Sequence, residues 1–221
     1  FKFHCSMCGM CCINRDDILL NAKDVFTISK YLGLKIPEFI NEYCEVYVGD
    51  SSRFPIVRLN PRGYEKRCPL LEGKRCKVHE VKPTVCAMFP IGRSIRLDDK
   101  NIDTITAKDT QYLFVHPNCG DKRISYTVRE WLEKFDIPIE DEFYIEWNKM
   151  LSNTSLEVHR IEAKLDKELM KKTWDLIFAI IYLAYDFNDD FLEQFKRNAL
   201  QLKEVLKKID FGGKDDGGTG K

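Results

Sequence analysis

The sequence lacks an excess of charge of either sign, with Lys plus Arg and Asp plus Glu at 35 each over 221 residues. Counterion release, which supplies most nucleic-acid affinity, needs a basic face, so no nucleic-acid partner is expected. A long apolar run is missing too. The longest, Trp174 to Tyr185, contains Asp175 and falls well short of the roughly 20 residues of a membrane-crossing helix, so no membrane span is expected. The chain opens on Phe1 rather than methionine, which leaves any preceding segment open. Phe1 to Met10 has neither the basic nor the apolar region of a signal peptide, and the expected compartment is the cytoplasm. There is no glycine-rich phosphate loop, nucleophile–base pair or paired acid site. Whether the chain is an enzyme therefore stays open, and any catalysis would have to run through a bound metal.

Cysteine is absent after Cys119, yet nine occur between Cys5 and Cys119. Nine is odd, and Cys11 and Cys12 are adjacent. A disulfide framework would leave one thiol over and would need an oxidising compartment. In a reducing compartment, clustered thiols serve metal binding or redox chemistry. Apolar residues at 44% and charged residues at 32% are an ordinary globular mix, with length enough for one large domain or two small ones.

Two composition shifts divide the chain. Residues 1–125 hold every cysteine and seven of the eight prolines, in short broken segments. Residues 126–210 read as continuous helix, and the Gly-rich, charged residues 211–221 are expected to be a disordered tail. In the first part, Asn21 followed by Asp24 opens a helix with Val25, Ile28 and Leu32 on one stripe, ended by Gly33. Pro37 suits the first turn of a second helix carrying Phe39, Ile40, Tyr43, Cys44 and Tyr47 on one side. FPIVRLN (54–60), RSIRLD (93–98) and YLFV (112–115) read as strands. In the second part, Thr127 and Glu130 form a capping-box pair before WLEKF. Helices are expected over 140–151, over 155–185 with a break near Asp166, and over 189–209. Leu169, Trp174, Ile177, Phe178, Ile181, Phe195, Leu202 and Leu206 form their apolar stripes. This helical part is a scaffold, or a surface for a protein partner or dimerisation.

The segment CSMCGMCC places Cys5, Cys8, Cys11 and Cys12 within eight residues. Two residues between cysteines let the backbone turn so that successive sulfurs converge on one ion or cluster. Zinc ribbons and iron–sulfur proteins both use this spacing. Gly9 can adopt positive φ there, and Met7 and Met10 offer an apolar rim that would limit water. Because Cys11 and Cys12 are neighbours, their side chains should diverge, toward two metal sites or one polynuclear cluster. Cys68, Cys76, Cys86 and Cys119 are available as further ligands. The metal-ligand set is then Cys5, Cys8, Cys11, Cys12, Cys68, Cys76, Cys86 and Cys119.

CSMCGMCC (5–12), ILLNAKDVFTISKYLG (18–33) and CPLLEGKRCKVHEVKPTVCAMFP (68–90) together resemble the YkgJ-like cysteine-cluster family of zinc- or iron-chelating domains. Lys82-Pro83 before Cys86-Ala87-Met88-Phe89-Pro90, and a late Cys119-Gly120, fit the same pattern over roughly residues 3–135. His79 stands where relatives often have Tyr, and Lys82 where Arg is commoner. No departure touches a cysteine. Flagellin lysine N-methylase is related through this cluster type, but no residue here independently indicates a methyl donor or a flagellin substrate.

Cys44 is expected to be a buried free thiol on an apolar helical face. His4 and His116 read as loop residues, His159 as helix surface, and His79, three after Cys76, as a secondary ligand candidate. Arg93, Arg96 and Lys74 are either solvated or screen the thiolates. The fold class is α+β, a small loop-rich cysteine-cluster metal-binding domain followed by a helical region. The function expected is chelation of iron, as an iron–sulfur cluster or as iron alone, or of zinc, with a redox or radical role. The alternative is a zinc-stabilised interaction module without catalytic activity.

Overall fold

The computed structural model describes residues 1–97 and 101–210. The tail expected over 211–221 and the last residue of the strand expected over 93–98 lie outside the described residues. The architecture is α+β, with small antiparallel sheets in the cysteine-bearing part and long helices after it.

β1 (Lys2–His4) opens the chain, and β2 (Leu19–Leu20) leads into α1 (Ala22–Leu32). Asn21 accepts from Asp24 N–H at 2.8 Å and Asp24 accepts in return from Asn21 N–H, a reciprocal cap that satisfies two of the helix's orphan donors. Gly33 ends α1 in the left-handed region at φ 68, as its position implied. α2 (Ile36–Tyr43) follows, but it stops before Cys44. Cys44 and Tyr47 belong instead to β3 (Cys44–Val48), which pairs in full with β4 (Pro55–Leu59). Val46 and Val48 are β-branched, and pairing with β4 satisfies backbone groups that further helix would have satisfied locally.

A two-residue hairpin, β5 (Leu71–Glu72) and β6 (Arg75–Cys76), precedes the short helix α3 (Thr84–Met88). β7 (Ile91–Ile95) pairs with β8 (Thr110–Phe114), and β9 (Asp121–Ser125) returns to pair with β1. α4 (Val128–Glu133) carries the Thr127–Glu130 capping box.

The long helices differ from expectation at one boundary. α5 (Glu142–Glu162) runs straight through Ser152, Asn153 and Thr154, the gap expected between helices over 140–151 and 155–185. Thr154 is buried and its hydroxyl donates to Met150 Sδ one turn back at 3.6 Å, while Asn153 donates to Asp103 at 2.8 Å, so neither competes with the helix backbone. The break falls before Asp166, which caps α6 (Lys167–Phe178) by accepting from Leu169 N–H. A π-helical turn, Ala179–Leu183, extends α6, and α7 (Phe191–Asp210) closes the described chain. No described helix is long and apolar enough to cross a membrane.

One large hydrophobic cluster takes residues from both parts: Val25, Ile28, Phe39, Phe54 and Val57 pack with Phe143, Ile177, Ile181, Tyr182, Phe195, Leu202 and Leu206. The helical stripe is thus covered by the chain's own first part, except that Leu169 is 45% exposed. Arg53 bonds Glu162, and Trp174 Nε1 donates to Arg53 O at 3.0 Å, adding polar ties across the composition boundary. A second, smaller cluster gathers Phe3, Met88, Ile91, Trp131 and Leu132.

Phe195→Ala empties a site that is fully enclosed, and the expected cost is about 3–5 kcal/mol. In urea unfolding followed by far-UV circular dichroism and tryptophan fluorescence, one coincident transition should shift to lower denaturant. Two separate transitions, only one of them shifted, would count against a shared core.

Candidate metal centre

The thiols converge through backbone pairing rather than through proximity in sequence. His4 stands opposite Asp121 in the β1–β9 register, so Cys5 and Cys119 leave the ribbon at the same end. Gly120 has φ 75, and a Cβ there would stand 2.6 Å from His4 O and from the Phe3 ring; only glycine allows that approach. Gly9, also at φ 75, turns the chain into a 3₁₀ turn over Met10–Cys12, with Cys12 N–H donating to Gly9 O at 2.9 Å. Cys68 N–H then donates to Cys12 O at 2.8 Å. The β5–β6 hairpin brings Cys76 back toward Cys68, since Leu71 N–H bonds Cys68 O and Lys77 N–H bonds Leu70 O. Cys86 lies on α3, whose first turn is tethered to α1. Asp24 accepts from both Thr84 N–H and Thr84 Oγ1, at 2.8 and 2.6 Å.

The result is a cavity of about 290 Å³ lined by Cys5, Cys8, Cys11, Cys12, Cys68, Cys76, Cys86 and Cys119. It sits at the seam between the two hydrophobic clusters, with Leu59 and Leu70 of the larger and Phe3 and Trp131 of the smaller in its walls. Its charged lining is Arg15, Lys74, Arg75 and Lys82, with no Asp or Glu. In a chain of zero net charge this is a local choice of sign, and it favours thiolates.

The thiols differ in acidity. Met10 N–H donates to Cys8 and holds it below the usual thiol range. The Cys11 and Cys12 thiols share a hydrogen bond, their sulfurs 3.9 Å apart, and this contact pushes Cys11 below the usual thiol range and Cys12 above it. These two side chains therefore face each other across the 3₁₀ turn, contrary to the divergence expected of neighbours. Burial pushes Cys68, Cys76 and Cys86 up, and N–H groups of Leu70 and Val78 act in the opposite sense on Cys68 and Cys76. Cys119 is pushed up to about 11 by burial and then by Cys11, Cys8 and Cys5. Among the described residues no three ligand side chains are gathered round one point, so gripping an ion requires the thiols to turn inward together.

Other residues fall differently from their sequence reading. Arg93 does not line the cavity; it forms a buried ion pair with Asp141 at 2.7 Å and lies over the Tyr144 ring. Arg15 and Arg75, which no motif singled out, take the screening role beside Lys74. Met7 edges the cavity, but Met10 does not line it and is 62% exposed, so the two do not form a closed rim. His79 lines the cavity, and burial and Lys82 lower its basicity, which favours the neutral form a metal ligand needs. Cys44 lies outside the cavity at the α2–β3 junction, packed on the large core, with burial pushing its thiol up to about 12.

Soft thiolates select zinc, iron–sulfur clusters and other thiophilic metals, and this donor set fits that class. The site is that of a thiolate metal-chelating domain. The CxxCxxCC family model, described as "Putative zinc- or iron-chelating domain", matches residues 4–120, and the chain belongs to this family. The YkgJ-like resemblance read from the sequence agrees with it. The chain is also similar to the uncharacterized protein MJ0661 of Methanocaldococcus jannaschii, 29% identical over 96 residues, covering 42% of this chain and 47% of the relative. The chain thus spans about half the length of that curated relative. No solved structure matches it.

In the reduced, metal-free protein at neutral pH, iodoacetamide should label Cys8 and Cys11 early and the half-buried Cys44 late, because its thiol is held in the protonated form. Peptide mass spectrometry reads this directly, and early labelling of Cys44 would contradict its raised thiol pKa. Metal content should fall in Cys8→Ser and stay at the wild-type value in Cys44→Ser.

Proposed function

We propose that the chain holds iron, as an iron–sulfur cluster, through Cys5, Cys8, Cys11, Cys12, Cys68, Cys76, Cys86 and Cys119, and serves a redox or radical role in the cytoplasm. The observation that carries this reading is the convergence of eight thiols on one cavity whose charged lining is wholly basic. Such a cluster, when bound, supplies one-electron chemistry. The chain's own residues do the rest. Arg15, Lys74, Arg75 and Lys82 offset thiolate charge, and the amides of Met10, Leu70 and Val78 donate to sulfur. Hydrogen bonds to sulfur tune a cluster's potential. Phe3, Phe89 and Trp131 keep one wall of the cavity apolar. The Cys-x-x-Cys-x-x-Cys run favours iron over zinc.

A second reading has its own support. Cys68, Cys76 and Cys86 pack against the large core, as the ligands of a structural zinc site do when metal shapes the fold. On that reading the protein is a zinc-stabilised interaction module with no catalytic activity.

Anaerobic purification followed by an absorption spectrum and analysis of iron, zinc and acid-labile sulfide separates the two. Brown protein with iron and sulfide together is the expected result. Colourless protein with tightly held zinc would overturn the iron reading and leave the zinc module standing.

A further inference from the structure

The helical stripes pack on the chain's own first part, and the feature of the fold left without a partner is a strand edge. β8 pairs with β7 on one side, and among the described residues no strand pairs with its other side. Val115 N–H donates to Pro90 O and Arg96 N–H to Asp109 O, both at 2.9 Å, which fixes the phase of the ladder. Gln111 and Leu113 therefore turn their backbone N–H and C=O groups toward β7, whereas Tyr112 and Phe114 turn theirs outward. Among the described residues neither outward N–H meets a backbone acceptor. One face of the strand is held by the fold: Tyr112 packs on the smaller cluster, and its hydroxyl donates to Ile139 O at 2.7 Å. The other face is open and apolar. Leu113 and Val115 are 57% and 56% exposed, and Leu113 stands opposite Gly92, which has no side chain to cover it. Exposed edges are usually blunted by charge, and the other five-residue strands carry Glu45, Arg58, Arg93 and Asp121. β8, Thr110–Phe114, carries no charge.

We propose that β8 is the seam of a homodimer, in which two copies of this chain pair β8 with β8, antiparallel about Leu113, into one sheet of order β7–β8–β8–β7. The direction of the backbone groups selects the occupant. With Leu113 opposite Leu113 on the two-fold axis, Tyr112 and the partner's Phe114 exchange both N–H···O bonds, and Phe114 does the same with the partner's Tyr112. Every outward backbone group of these two residues is then satisfied in both copies at once. The exposed leucine of each copy covers that of the other, and no like charges are brought face to face. A second copy brings the same uncharged edge in the same phase, so one self-complementary contact serves both subunits. The contact is short, and the dimer it forms is weak, with a Kd in the micromolar range. Metal binding plays no part in the seam.

The test is sedimentation velocity on the reduced full chain over a dilution series, with residue-resolved amide exchange by NMR at both ends of the series. The wild type should pass from monomer to dimer in the micromolar range. The amides of Tyr112 and Phe114 should gain protection as the dimer forms, whereas those of Gln111 and Leu113 are protected throughout. Leu113→Lys sets like charges opposite each other and should weaken association about tenfold or more. Leu156→Lys, at a comparably exposed leucine on α5, should leave association unchanged. Circular dichroism identifies a variant that fails to fold, and the wild-type exchange pattern decides without either variant. A wild type that stays monomeric, with the Tyr112 and Phe114 amides open at every concentration, would overturn the homodimer and leave the edge to a strand of another protein. A dimer in which those two amides stay open, or one that Leu156→Lys disrupts and Leu113→Lys does not, would overturn the seam as well.

Discussion

Bringing the start of the chain back to residues 119–125 is the step on which the cysteine cavity depends. The β1–β9 ribbon that achieves it is short, and two-stranded ribbons have little stability alone. Its support comes from side chains. Phe3 is buried against Met88, Ile91, Trp131 and Leu132, its ring edge-on to Trp131, and Trp131 Nε1 donates to Met88 O at 3.1 Å. Loop-closure entropy grows slowly with loop length, so a small aromatic cluster suffices to hold such distant segments together. Cys5 and Cys119 are carried along by that closure.

The cavity lies where the small cluster meets the large one, and this placement explains its unequal walls. The side against the large core is built from elements with several anchors each: the hairpin, the Cys68–Cys12 backbone bond and the Asp24–Thr84 tether of α3. The opposite side is a ribbon end and a turn. Asp24 shows how the two kinds of structure are linked. Burial pushes its carboxyl up, while bonds from Thr84 and Asn21 act the other way, so one side chain both caps α1 and fixes the helix that carries Cys86. Arg93 and Asp141 form another such tie, a buried pair that spans β7 and the start of α5 and keeps its charge away from the thiols.

Much of the local structure was legible in the residues. Asn21–Asp24, Thr127–Glu130, Gly33 and Asp166 mark helix ends through contacts within one turn, and each does so here. Where the reading failed, a distant partner decided. Cys44 to Val48 carries enough apolar residues to prolong α2, but β4 claims it as a strand. Ser152 to Thr154 looks like a break only until Asp103 and Met150 take up the polar groups of Asn153 and Thr154.

The same division applies to the site. The donor chemistry follows from the residues alone, because Cys-x-x-Cys spacing and the clustering of thiols before residue 120 act over a few bonds and over composition. Contacts between distant segments set which thiols share a space and exclude Cys44 from it. The same contacts make Arg15 and Arg75 line that space while Arg93 pairs with Asp141, and turn Cys11 and Cys12 toward each other across a 3₁₀ turn. Those outcomes depend on strand register and on two hydrophobic clusters assembled from residues far apart in the chain, and no local pattern encodes such pairings.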